Sequence, residues 1–249
     1  MLDSLRVLRD AAEAYRAAAT AAGLTWPGQA GPARPHRGAG PAPSLVRRLF
    51  AVDQVPEQLT WLQAQGWDTE RVFPNGGWLL PWPADAGGAL ANLSFAIGTP
   101  FLWRQQMPLF HFEIIVYTFV LAGDHQGEIW RYEASPDKWD SVRAATSLAA
   151  LFSQWTAGIT SGVITYWDDL QELFARADEE GPFQLLADRA DELGLDPLAF
   201  PVSVPPTWFP QLRERQRECG VDMECIERGA DCQNDLLDAI GAVRDSLRG

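Results

Sequence analysis

From Phe112 to Trp155 the pattern of apolar and polar positions changes period twice. Phe112, Ile114, Val116, Thr118, Val120 and Ala122 alternate on one side of an extended chain, and that side is almost wholly apolar. His111, Glu113, Ile115, Tyr117, Phe119 and Leu121 fall on the other side, which starts polar and turns apolar. Two such sides predict a long strand interior to its sheet and covered on both faces. Gly123-Asp124-His125-Gln126-Gly127 then supplies glycine and Asx turn chemistry, so the next strand returns antiparallel as a hairpin. On that strand Ile129 and Arg131 face one way, and Glu128, Trp130 and Tyr132 the other. After the break at SPDKWD the period becomes helical. Ser147 is placed to cap a helix whose buried stripe is Leu148, Leu151, Phe152 and Trp155.

The rest of the chain arranges itself around this unit. Leu5, Leu8, Ala12, Tyr15 and Ala19 recur at helical spacing and predict an amphipathic helix over residues 1–22. Residues 23–43 read as a linker, because PGQAGPARPHRGAGPAP suits neither a helix interior nor a central strand. The first helix is therefore expected to be tethered rather than embedded. Pro56 and Gly66 bracket a short helix, and WLLPW (78–82), NLSFAI (92–97) and SGVITYW (161–167) read as further strands. FLWRQQMPLF is ambiguous between periods. Beyond residue 167 the text predicts helices at Asp168–Ala177, Phe183–Leu193, Thr207–Cys219 and Met223–Leu247, with PLAFPVSVPP as an extended connector. The expected class is α+β: a mainly antiparallel sheet of about five or six strands flanked by helices. Residues 44–166 form the α+β domain, and 167–249 an acidic helical extension packed on it.

Charge narrows the partners. The net charge is −13, but residues 1–50 hold seven Arg against three acids, so the remainder carries −17. Such a body opposes binding nucleic acid through phosphate neutralisation and suits a basic protein partner or simple solubility. No apolar run is long enough to span a membrane, and the first residues do not read as a signal peptide. A cytoplasmic location is the expectation. Cys219, Cys225 and Cys232 match neither a disulfide framework nor zinc-knuckle spacing, so they read as core packing.

No catalytic signature emerges. Lys138 is the only lysine, which works against a phosphate-binding loop, and no G-x-S-x-G elbow occurs. His111-Phe112-Glu113 matches only the first half of a deaminase signature. Asp124 and His125 could pair as acid and base, yet turns favour Asp for backbone reasons alone. No cofactor, metal or catalytic residue is assigned. The candidate contact residues are Asp124, Glu128, Trp130, Tyr132 and Trp103, an aromatic and acidic set suited to a protein interface if it is exposed.

FVLAGDHQGEIWRYEASPDKWDSVRAATSLAALFSQWTAG resembles the second half of the SUKH superfamily, which includes bacterial immunity proteins and fungal cell-wall regulators. Asp124, Gly127, Glu128, Ser147 and Phe152 carry the resemblance, and VPEQLTWLQAQGW (55–67) is similar to the family's proline-led early helix. The resemblance implies a curved antiparallel sheet with flanking helices that acts by binding proteins, often by neutralising a toxin. Two other readings stand beside it. One is a regulatory or scaffold subunit docking through its terminal helices. The other is an enzyme assembled from distant acids such as Glu113, Asp124 and Glu128.

Overall fold

Five strands pair edge to edge in chain order: β1 (Trp78–Leu79), β2 (Gln106–Phe112), β3 (Ile115–Val120), β4 (Ile129–Glu133) and β5 (Val142–Ala145). All four pairings are antiparallel, so the sheet is a meander and the class is α+β. The computed structural model describes residues 2–26, 43–67, 71–80, 105–133, 141–176 and 181–228, with positions 234, 238, 241–243, 245 and 246. Trp103, the strand expected at 92–97 and most of the proline-rich linker lie outside the described residues, as do Cys232 and most of the last helix.

The long strand expected from residue 112 is two strands. Phe112 pairs directly with Ile115, so the chain reverses over Glu113 and Ile114. Glu113 takes a left-handed φ of 51°, and Ile114 is left 44% exposed at the tip. Neither residue is a turn former, so the alternating apolar text conceals the reversal. The ambiguous stretch before it supplies β2. Its Pro108 is accommodated beside a register shift between Pro108 and Phe110. The second hairpin falls where glycine places it, with Gly123 at φ 82° and Gly127 at φ 92°. The Gly127 N–H donates to the Val120 carbonyl at 2.9 Å.

Helix α1 spans Leu2–Ala22, and two short helices follow it, α2 (Pro43–Phe50) and α3 (Glu57–Gln63). Helix α4 (Leu148–Thr160) begins at the predicted cap, where Ser147 Oγ accepts from the Ala150 N–H at 3.1 Å. Its Phe152 and Trp155 meet Tyr15 of α1 at ring distances of 5.5 and 5.8 Å, and Phe73 and Phe110 complete the aromatic core. Leu8, Ala12, Tyr15 and Ala19 are buried, and the Tyr15 hydroxyl donates to the Val72 carbonyl at 2.7 Å. The first helix is thus embedded, contrary to the tethered helix expected. Alanine on its inner face lets it approach α4 closely, while Tyr15 supplies the buried area.

The region expected to be a helix at 168–177 holds the return strand of a third hairpin. β6 (Ile164–Trp167) pairs with β7 (Glu172–Ala175) in a separate two-stranded sheet. Ile164 and Leu173 point inward, whereas Thr165 and Trp167 stay exposed. α5 (Pro182–Asp188), α6 (Ala190–Leu193), α7 (Phe209–Glu218) and α8 (Met223–Arg228) follow. Between α6 and α7 the proline-rich connector is core. Leu198, Ala199, Phe200, Val202 and Val204 are all buried. Gly158 of α4 makes room for it, since a methyl group there would sit 2.6 Å from the Phe200 ring. The carbonyls of Phe200 and Val202 accept from the buried Arg131 at 2.9 and 3.1 Å. Glu133, also buried, lies 3.7 Å from that guanidinium and accepts from the Val204 N–H at 3.3 Å. Proline removes donors from this segment, and β4 supplies partners for the carbonyls that remain.

Candidate functional site

The residues singled out on the β3–β4 hairpin divide between surface and core. Asp124 is exposed at the hairpin tip. Trp130 and Tyr132 are buried, at 0% and 4% exposure, so the expected aromatic contact face is corrected at both positions. Their side of the sheet is covered: Trp130 packs with Val120, Cys219 and Val221, the last two brought in by the end of α7 and the turn after it. Burial drives the Tyr132 phenol far above its ordinary range.

Glu128 is the organising polar group of this corner. Its carboxylate accepts from Trp130 Nε1 at 2.9 Å and from Arg143 at 3.0 Å, and it lies 3.0 Å from His125 Nδ1. The His125 ring also meets the edge of Trp130 at 5.6 Å. Burial pushes the Cys219 thiol up, while the Arg143 backbone and guanidinium pull it the other way. Cys219 packs there as a small apolar side chain. The corner holds a buried indole and two turns of chain in place, and its carboxylate is already filled with donors.

A different surface combines exposure with apolar chemistry. Among the described residues four large apolar side chains are exposed: Val7, Ile114, Trp167 and Leu170. One of them, Ile114, lines a groove, and a second, Trp167, is joined to it through Phe174. A cavity of about 390 Å³ lies between the β2–β3 turn, β7 and the connector, lined by Phe112, Ile114, Ile115, Phe174, Phe183 and Val202 with a rim of prolines. Phe174 links this cavity to Trp167, whose ring stands edge-on to it at 5.6 Å. Leu170 follows in the β6–β7 turn, its N–H donating to the Trp167 carbonyl at 3.3 Å.

Asn75 builds one wall. In a left-handed conformation at φ 54°, it donates to the Pro201 carbonyl at 2.7 Å and accepts from the Ala175 N–H at 2.9 Å. One side chain thereby fixes three segments of the groove to each other. Arg71 does similar work beneath the hairpin, donating to the nearly buried Glu172 at 3.0 Å. No family model matches the chain, and no curated protein or solved structure matches it.

Asp168 and Asp169, between Trp167 and Leu170, are exposed, and so is Glu113 beside Ile114. Glu113 thus lines the cavity beside Ile114, while Asp168 and Asp169 follow Trp167 in the β6–β7 turn. Ile114 lay inside an apparent strand and Leu170 inside an apparent helix, so neither was legible as a surface residue. The one available signal was the pair Asp168-Asp169 directly after an aromatic strand end. Among the described residues no group of three or more His, Cys, Asp or Glu side chains is placed to hold a metal ion, and no helix is long and apolar enough to cross a membrane.

Proposed function

We propose that this protein is a non-enzymatic binding protein that neutralises a basic toxin in the cytoplasm, as the resemblance to the SUKH superfamily implies. The observation that carries the reading is electrostatic. Residues 51–249 hold thirteen basic and thirty acidic side chains. Asp53, Glu57, Glu113, Asp124, Asp168, Asp169, Asp188, Asp191, Glu192, Glu214 and Glu218 all face solvent. An acidic surface of that extent accelerates encounter with a basic partner and fixes its orientation. The antiparallel sheet with its flanking helices is of the kind the resemblance implies.

The decisive experiment co-expresses the chain with the product of the neighbouring reading frame. Protection from a toxic product, with a complex whose association rate falls roughly tenfold or more from low to high salt, is the expected result. A harmless neighbour, or a toxic one that this chain neither binds nor neutralises, sinks the proposal. The scaffold reading rested on both terminal helices docking elsewhere, the first of them tethered. Leu8, Ala12, Tyr15 and Ala19 of the first helix are buried within this chain, which takes that face out of such docking.

A further inference from the structure

The groove between the two hairpins has a composition that restricts what can occupy it. Folded monomers seldom leave several large apolar side chains exposed along one continuous path, and such a path rimmed by polar groups marks an interaction surface. Here Ile114 is 44% exposed, and Trp167 and Leu170 are 53% exposed each. Phe174 joins the cavity at one end to Trp167 at the other. Trp is among the side chains that most often anchor protein interfaces. An edge-on contact with Phe174 holds this one ready without burying it.

The charges say which partner fits. Glu113 stands exposed at the Ile114 end, and Asp168 and Asp169 at the Trp167 end. Of the cations near the groove among the described residues, Arg71 is engaged by Glu172 at 3.0 Å, and Arg176 is exposed at the end of β7. A small ligand of one charge would meet acid at only one end. A protein segment carrying an apolar side chain between two basic flanks meets both ends and the floor together. We infer that the band from Leu170 and Trp167 through Phe174 to Ile114 is the contact surface of this protein. Its occupant is a segment of a partner protein with a large apolar side chain flanked by arginine or lysine.

This assignment rests on the binding reading above, so the experiment keeps the two apart. The intact chain, a double variant I114E/W167E, the milder W167A and a control V7E are compared. Val7 is also exposed, at 45%, but lies on α1. All three substituted side chains are at the surface, and variants are taken forward only with unchanged melting temperature. Against the neighbouring gene product, wild type and V7E should bind alike, with the double variant weaker by roughly thirtyfold or more and W167A intermediate. Equal binding by all four overturns the surface while the toxin-binding reading stands.

If wild type does not bind that product, the functional reading falls alone, and the surface is judged by a second measurement. The Ile114 methyl resonance is followed while Arg-Arg-Leu-Trp-Leu-Arg-Arg or Glu-Glu-Leu-Trp-Leu-Glu-Glu is added. A shift with the basic-flanked peptide only, lost in W167A, supports the assignment. A shift with neither peptide, or equally with both, overturns it. So does a wild-type dimer that the double variant dissociates, because the face would then belong to a second copy of this chain.

Discussion

Glu128 has a side chain only 16% exposed, yet it serves Arg143 and Trp130 as acceptor and lies beside His125. A partly buried carboxylate is tolerated because each oxygen has a donor, and removing the charge leaves those donors facing a weaker acceptor. Glu128→Gln should cost roughly 2 kcal/mol of unfolding free energy, read from urea denaturation. No loss would mean that water replaces the carboxylate without penalty. His111 makes a second residue-level case. Burial holds its pKa below the ordinary 6.5, the Glu113 backbone acting more weakly in the other direction. The unfolded chain thus takes up a proton first as pH falls through about 6.5. The stability that His111 contributes is complete above that value and drains away below it. Melting temperatures measured from about pH 8 to pH 5 should fall less steeply in His111→Gln than in wild type. Parallel curves would remove this histidine as the cause.

The elements owe their positions to different causes. Helix α4 was legible throughout, since its cap, stripe and length agree, and Ser147 bonds as the cap rules require. The turn at Glu113 and Ile114 was not legible. Alternation continues across it in the text, and only the pairing of β2 with β3 places the reversal. β6 falls within the strand expected at 161–167, but β7 was misread as helix because acids with Leu170 and Leu173 mimic helical spacing. In the fold Leu173 and Ile164 are drawn inward together, and that burial overrides propensity. Helix α1 follows the same rule. Its alanine-rich face promised weak packing, but Tyr15 inserts into the aromatic core and closes a hydrogen bond to Val72. Deleting residues 1–26 should therefore abolish cooperative unfolding and raise dye binding to exposed apolar surface. A truncated chain that melts sharply would restore the tethered picture.

At the scale of the molecule the boundary expected at residue 166 does not divide the core. The connector over 197–204 crosses back to β4, where the buried Arg131 and Glu133 meet its carbonyls and an N–H. Removing one side of such an arrangement strands a buried charge, at a cost of about 3–5 kcal/mol. The described body should accordingly unfold in a single urea transition by fluorescence and circular dichroism alike, and a chain ending at 166 should not fold. Two separated transitions would contradict this.

The sequence by itself determined the class, the hairpin at Gly123–Gly127, the cap at Ser147 and the acidity of the body. These depend on local turn chemistry, on period and on a sum of charges. Tertiary structure alone decided that Trp130 and Tyr132 are covered, that the first helix and the proline connector are core, and that Ile114 and Trp167 are exposed. Exposure is a relation between distant segments: Val221 is ninety-one positions from Trp130 in the chain, yet packs against it. No window along the sequence contains that information, because the same apolar residue is core or contact surface according to what the rest of the chain places over it.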